Sequence, residues 1–240
     1  MSAPVPLIIV EGPFDRQVIS AVLRRAGFDE KSFKVLAGSE SGQGDSVRDG
    51  ADYGKAAARG NFVRLDRLGL ASKLALVIDL DADTAEQAVE GVMAERKRMA
   101  AESPLGAADE ARIRDAVLTA GVLEPADFCA KWNLKTQSLD DHLLMLATDA
   151  SSYAELAKAE RKLEHSHSLV MEKMAKVNSL LAEQGIHVTD AKRQLELFRG
   201  ISGWSVGPGA CGQRLVEKAT DDAFERAFGS MVDGFRKQLG

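Results

Sequence analysis

Two groups of acidic residues stand far apart in the chain, and each follows a short apolar run. The first group holds Glu11 and Asp15, and the second holds Asp79 and Asp81. Carboxylates that gather in one place repel one another and are costly to bury without a compensating charge. Their oxygen atoms are the ligands that a hard cation such as Mg²⁺ or Mn²⁺ prefers. These residue types therefore predict a magnesium or manganese site, provided that the fold brings the two groups together.

The apolar runs that precede the acids are the elements that must position them. Residues 7–10 (Leu-Ile-Ile-Val) and 74–78 (Leu-Ala-Leu-Val-Ile) are short and aliphatic, which is typical of buried parallel strands. The carboxyl ends of such strands form the usual ligand crevice of an open sheet. Asp79 and Asp81 are alternate residues, so in an extended chain both point to one face. In the alternative interpretation, the acids are helix caps and surface residues of a generic doubly wound fold.

Asp15 admits two interpretations of its own. Residues 15–26 carry apolar side chains at helical spacing, and Gly27 then provides a stop signal. Asp15 falls in the first turn of this predicted helix, where the helix dipole favours a negative charge. It either binds a second metal ion or caps the helix.

The rest of the pattern alternates strand-like and helical segments. This alternation predicts an α/β fold with a central, mostly parallel sheet flanked by helices, similar to a Rossmann fold. We expect a strand over residues 32–36, a glycine-rich loop over 38–60, and a helix that Asn61 caps. Residues 107–120 are predicted to be helical, and residues 122–128 show a weak strand pattern.

The last third of the chain has a mainly helical pattern. The sequence therefore predicts two domains: residues 1–150, which carry the acidic motifs, and a helical C-terminal extension of residues 151–240 packed on that core. The motif Ser138-Leu139-Asp140-Asp141 indicates a capped helix start with two carboxylates in the first turn.

Composition limits the classes of protein that the chain can represent. A net charge of −5 argues against a protein that coats nucleic acid nonspecifically, although an enzyme with an acidic metal site remains compatible. The chain has no run of about 20 apolar residues and no signal-peptide pattern, so we expect a cytoplasmic protein without a membrane span. Cys129 and Cys211 show no pairing pattern and are expected to be free thiols.

The paired acidic motifs resemble those of the Toprim domain, a fold shared by topoisomerases, primases and several nucleases. Glu11-Gly12 matches the family's Glu-Gly after the first strand, and Asp79-Leu80-Asp81 matches its later Asp-x-Asp. The resemblance covers about residues 5–150.

Two further segments are similar to one branch of that family. Asp15 completes the Glu-Gly-x-x-Asp form of the nuclease and small stand-alone members, which include the overcoming-lysogenisation-defect nucleases. Residues 138–141 are similar to a Leu-Glu-Asp segment of small stand-alone members, with Asp140 in place of the glutamate. This substitution leaves the role of Asp140 open.

The resemblance implies a role for each of these residues. Metal ligands would be Glu11, Asp15, Asp79 and Asp81, and Glu11 would also serve as a catalytic acid or base. The substrate would lie near Gly12 and Asp140. A second catalytic residue would be Lys176, which is similar to a lysine of related nuclease domains that could neutralise charge in the transition state. In the alternative interpretation, Lys176 is a solvated helix lysine.

Two functions follow as expectations from the resemblance. The first is a magnesium-dependent nuclease, a hydrolase that cleaves the phosphodiester bonds of DNA or RNA. The second is a regulatory or phage-defence module that a partner such as an ATPase switches on, since the chain has no nucleotide-binding loop of its own. A homo-oligomer is compatible with both. A primase or topoisomerase fits poorly, because the sequence offers neither a zinc-binding module nor a separate tyrosine domain.

Overall fold

The chain forms two compact units. A computed structural model describes residues 5–38, 53–68, 73–81, 83–102, 110–121, 126–135, 137–160, 163 and 165–239. The first unit comprises Met1–Ala120 and Ser230–Gly240, and the second comprises Gly121–Gly229. Compact units need not coincide with functional domains, so the predicted domains 1–150 and 151–240 stay a prediction.

The first unit contains a parallel sheet with helices packed against it. Its strands are β1 (Leu7–Val10), β2 (Lys34–Ala37), β3 (Leu74–Asp79) and β4 (Val117–Ala120), and its helices are α1 (Pro13–Arg25), α2 (Tyr53–Leu68), α3 (Ala85–Glu102) and α4 (Glu110–Ala116), with a 3-10 turn at Glu30–Ser32. The strand order is β2-β1-β3-β4, and every neighbouring pair is parallel. The predicted α/β fold is therefore confirmed.

The two strands that carry the acids are the most buried part of this sheet. Ile8, Ile9 and Val10 of β1 have no exposed surface, and successive residues of β3 are also buried. Because successive side chains point to opposite faces, burial of both sets means that both faces of the sheet are covered. Phe62 of α2 and Val92 of α3 belong to the core on one of these faces.

Helix α2 begins earlier than the sequence pattern predicts. It starts at Tyr53, inside the segment expected to be a loop, while residues 39–52 lie outside the described residues. The predicted cap at Asn61 is wrong, because this residue lies in mid-helix. Its side-chain amide donates a hydrogen bond to the carbonyl oxygen of Gly38 at 2.9 Å. Asparagine is common at helix starts, but the side chain of Asn61 makes a tertiary contact from mid-helix instead.

Strand β4 lies where the sequence predicts the end of a helix. Helix α4 ends at Ala116, and the next residues pair with β3 in the register Leu76↔Val117 and Asp79↔Ala120. Pairing with a buried strand overrides a weak local preference for helix. The strand predicted over 122–128 is wrong where it can be described, since residues 126–128 open helix α5 (Ala126–Trp132). Residues 122–125 lie outside the described residues.

Gly38 lies where the end of β2 meets α2, and it provides a test of this packing. A Cβ atom at Gly38 would lie 2.7 Å from the backbone nitrogen of Ala58 and 3.0 Å from its Cα. Backbone atoms cannot rotate away, so we expect Gly38→Ala to lower the free energy of unfolding by about 1–3 kcal/mol. Gly60→Ala is the matched control, because its Cβ would lie 3.7 Å from its nearest neighbour, in mid-helix. Helix propensity should make that control more stable by about 0.5–1 kcal/mol in urea denaturation.

The regular elements described in the second unit are α-helices joined by short irregular segments. In addition to α5 it contains α6 (Leu139–Thr148), α7 (Ala150–Ala159), α8 (His167–Glu183), α9 (Ala191–Ser202), α10 (Pro208–Lys218) and the start of α11 (Asp221–Leu239), whose last residues belong to the first unit. The predicted helical character of residues 151–240 is confirmed where the structure describes them. No helix among the described residues has the length and apolarity needed to cross a membrane.

His142 is the most unusual core residue of the second unit. Its ring is stacked on Phe228 with 5.0 Å between ring centroids. The Nε2 atom accepts a hydrogen bond from the backbone N–H of Gly121 at 3.0 Å, and Nδ1 contacts the carbonyl oxygen of Ala227. This pattern fits a neutral imidazole that carries its proton on Nδ1. Burial lowers the pKa of His142 to about 4, although the Ala227 contact opposes the shift.

Candidate metal centre

The fold brings the first acidic residue of each motif to the same edge of the sheet. Strands β1 and β3 are parallel neighbours in the register Leu7↔Leu74 and Ile9↔Leu76, so their carboxyl ends are adjacent. Glu11 follows β1 directly, and Asp79 is the last residue of β3. The Oε1 atom of Glu11 accepts a hydrogen bond from the backbone N–H of Asp79 at 2.9 Å, across a sequence separation of 68 residues.

Asp81 lies beyond the end of β3, in an unusual backbone conformation. Its φ angle is +54°, in the left-handed region that residues other than glycine enter uncommonly. Aspartate tolerates this region better than most residues. One carboxylate oxygen, Oδ2, lies 2.6 Å from the Nζ atom of Lys55 on α2. Asp81 is thus held in place by a turn and by an ion pair.

The surroundings of Glu11 accommodate its negative charge poorly. Burial raises the pKa of Glu11, while the hydrogen bond from Asp79 and the positive charges of Lys55 and Arg59 lower it. The negative charge of Asp81 raises the pKa further. The net direction is upward, so nearby protein groups leave part of the cost of this charge uncompensated. An additional cation would relieve that cost.

Gly12 and Asp15 have a structural role that the sequence left open. Gly12 is the N-cap of α1, and its backbone N–H donates a hydrogen bond to Oδ2 of Asp15 at 2.8 Å. Asp15 therefore caps the helix, as one of its two interpretations predicted. A Cβ atom at Gly12 would meet only Asp15 Oδ2, at an ordinary 3.6 Å. The roles of Asp15 as a metal ligand and of Gly12 in substrate approach stay predictions.

Asp140 and Lys176 belong to the second unit, whereas the four acids discussed above belong to the first. Asp140 lies in the first turn of α6, and Ser138 and Asp141 form the predicted capping box there. Burial raises the pKa of Asp140 to about 6; Lys192 lowers it, whereas Asp190 and Glu196 raise it. Lys176 is an exposed residue of α8. Solvent exposure is what a solvated helix lysine would show, and the predicted catalytic role is untested.

Two cations at the acidic edge were not predicted from the sequence. Lys55 contacts Asp81, and Arg59 acts on the charge of Glu11. Both lie on α2, in the stretch predicted to be a loop. Their spacing of four residues places them on one helix face, and this signal was hidden because the helix itself was not recognised.

The donor set suits a magnesium ion that keeps part of its water shell. Mg²⁺ is usually held by one or two carboxylates together with waters and substrate phosphates. The uncompensated charge of Glu11 and its electrostatic coupling to Asp81 fit that arrangement. Among the described residues, no group of three or more histidine, cysteine, aspartate or glutamate side chains is arranged to hold a metal ion. A closed cage of protein ligands is thus absent from this part of the chain.

Comparison of the chain with protein-family models, curated proteins and solved structures gave no match.

Proposed function

We propose that this protein is a magnesium-dependent nuclease that hydrolyses phosphodiester bonds through a Toprim-like acidic site. One observation carries the proposal: Glu11 and Asp79, 68 residues apart in the chain, are joined by a hydrogen bond at the carboxyl ends of adjacent parallel strands. That edge is where open parallel sheets bind ligands. One acidic residue of each motif thus lies at the same edge of the sheet, as the resemblance implies.

The residues of this edge suit hydrolysis of a phosphodiester. Such a reaction is slow mainly because an anionic centre resists an anionic nucleophile. A bound magnesium ion would neutralise charge, activate water and stabilise the leaving oxygen. Glu11 and Asp81 would offer carboxylate oxygens to that ion, waters and substrate phosphates would complete its shell, and the resemblance implies Asp79 as a further ligand. Because its pKa is raised, Glu11 exchanges protons closer to neutral pH than an ordinary glutamate, which suits a general acid or base.

Cleavage assays on the purified protein test this proposal. Plasmid DNA and RNA are incubated with Mg²⁺ or Mn²⁺, and parallel reactions contain a chelator. We expect cleavage that needs the metal and disappears when Glu11 and Asp79 are both replaced by alanine. Metal-dependent cleavage that is absent, or that survives this double substitution, would contradict the proposal.

A partner-activated module is the second candidate, and the burial of aromatic residues favours it. Among the residues whose burial is described, only Leu180 and Ile186 are exposed large hydrophobic residues, and each such Phe, Tyr or Trp is at least partly buried. Base stacking on aromatic side chains contributes about 1–3 kcal/mol per base when proteins bind single strands. A partner such as an ATPase would supply substrate binding in this case. Its signature is cleavage only by a co-purified complex, with the isolated chain inactive.

A further inference from the structure

Lys55 reaches the acidic edge because the first turn of α2 lies against the end of β1. A Cβ atom at the preceding residue, Gly54, would lie 3.3 Å from the carbonyl oxygen of Glu11. A larger residue at Gly54 would therefore push the helix away from the strand end. This close approach lets the Lys55 side chain extend to Asp81.

The ion pair between Lys55 and Asp81 is unequal in its exposure. The Lys55 side chain is 13% exposed, whereas the Asp81 side chain is 57% exposed. A largely buried ammonium needs a counter-charge, and Asp81 supplies it at 2.6 Å. The carboxylate itself can still be reached from solvent, so an incoming cation has access to it.

Arg59 lies one helical turn further along α2, and its positive charge also acts on the acidic edge. Its guanidinium lies across α3, where a Cβ atom at Gly91 would come 2.7 Å from its Cζ. The charge of Arg59 acts on both Glu11 and Glu95. The guanidinium is thus packed in place, whereas the Lys55 ammonium sits at the end of a flexible stem.

Lys55 and a divalent cation compete for the same carboxylate. Mg²⁺ binds carboxylate oxygen at about 2.0–2.1 Å, and two positive charges on one carboxylate repel each other strongly. We propose that Lys55 is a displaceable counter-ion: it pairs with Asp81 while no divalent cation is bound, and cation binding releases its ammonium for an anion such as the substrate phosphate. This inference rests on the proposed function and adds to it a form of self-inhibition that metal binding removes.

Chemical labelling of the wild-type protein tests the release directly. Lysine amines are acylated with and without Mg²⁺, and the modification of Lys55 is measured by mass spectrometry relative to the exposed Lys31. Loss of the ion pair frees the amine and makes it easier for the reagent to reach, so the ratio should rise about three- to tenfold with Mg²⁺. A ratio that Mg²⁺ leaves unchanged, in protein shown to bind the metal, would overturn the inference.

Metal affinity of two substituted proteins gives an independent test. Mn²⁺ binding is followed by electron paramagnetic resonance, and Lys55→Met should bind Mn²⁺ about three- to tenfold more tightly than wild type because the competitor is gone. Arg59→Met is the matched control, since it also removes one positive charge near Glu11. A gain in Arg59→Met as large as in Lys55→Met would show a general charge effect and overturn the inference.

The two proposals fail in distinguishable ways. Wild-type protein that binds no Mn²⁺ and cleaves nothing would reject the proposed function and this inference together. Wild-type protein that binds Mn²⁺ and cleaves, but shows neither Lys55 release nor tighter binding by Lys55→Met, would reject the counter-ion role alone.

Discussion

Glu11→Gln should lower metal-dependent cleavage by about 10²- to 10⁴-fold, the range expected for losing a group that transfers a proton. Glutamine keeps the shape of the side chain, and its carbonyl oxygen can still accept the hydrogen bond from Asp79 N–H that Glu11 accepts at 2.9 Å. The charge alone is removed. Steady-state cleavage rates with saturating Mg²⁺ measure the effect.

The same substitution should make the protein more stable at neutral pH. The pKa of Glu11 is raised in the folded state, so the ionised carboxylate opposes folding once the pH exceeds the unfolded value. Removing the charge removes that penalty. Loss of cleavage together with a higher urea midpoint would identify Glu11 as a residue kept for function at a cost in stability.

Glu30→Gln is the control for this experiment. Glu30 is an exposed residue of the same unit and forms an ion pair with Arg24 at 3.0 Å. It should change cleavage and stability little, because exposed ion pairs contribute about 0–1 kcal/mol. Full cleavage by Glu11→Gln would contradict the proposed site. Lost cleavage with a lower urea midpoint would instead point to damage to the fold.

His142→Ala should lower the free energy of unfolding by about 3–5 kcal/mol at pH 7, comparable to removal of a buried aromatic ring. The substitution leaves a cavity beside Phe228 and removes the partners of Gly121 N–H and the Ala227 carbonyl oxygen. Unsatisfied buried backbone groups add to the cost. The exposed His187 provides the control, and alanine there should change stability by no more than about 0.5 kcal/mol.

The effect of His142→Ala should also depend on pH. The pKa of His142 falls from 6.5 to about 4 on folding, so the unfolded chain binds a proton between these values and the folded chain does not. The stability that His142 contributes is therefore full above pH 6.5 and is lost as the pH falls to 4. The difference in unfolding free energy between wild type and His142→Ala should shrink by about 3 kcal/mol across this window.

Asp140 titrates with the opposite sign in an overlapping window. Its pKa rises from 3.8 to about 6 on folding, so its ionisation lowers stability as the pH rises between these values. Ionisation of Asp140 lowers the stability of wild type and of His142→Ala alike, so its effect cancels when the unfolding free energies of the two proteins are subtracted. Urea denaturation of both proteins at several pH values measures that difference. A difference that stays constant from pH 7 to pH 4 would contradict the neutral, buried state of His142.

The strands that carry the acids could be predicted from the sequence, whereas their cationic partners could not. β1 and β3 are uninterrupted apolar runs, which is the pattern expected of strands whose two faces are both buried. Their parallel order puts Glu11 beside Asp79 without any further information. Helix α2 contains Gly54 and Gly60 and follows a segment rich in Gly, Ser and Asp, so local pattern alone favoured a loop. Its contacts with Glu11, Gly38 and the β3 edge come from distant parts of the chain.

The wrong predictions of secondary structure near residue 120 have a related cause. Val117 and Leu118 continue the helical pattern of α4, and only pairing with β3 identifies them as a strand. The environment of His142 was equally hidden, because its hydrogen-bond partners lie 21 and 85 residues away. Sequence periodicity reports neighbours along one element, and these features depend on contacts between elements.

The last residues of helix α11 complete the first unit, although the whole second unit lies between them and the sheet in the sequence. Lys237 forms an ion pair with Asp115 at 2.8 Å, and Gly234 lies against Leu118, where a Cβ atom would meet its Cδ2 at 2.7 Å. Ribosomes synthesise the sheet long before this helix. The sheet-bearing unit therefore lacks one of its packing helices until α11 has been synthesised and has left the exit tunnel.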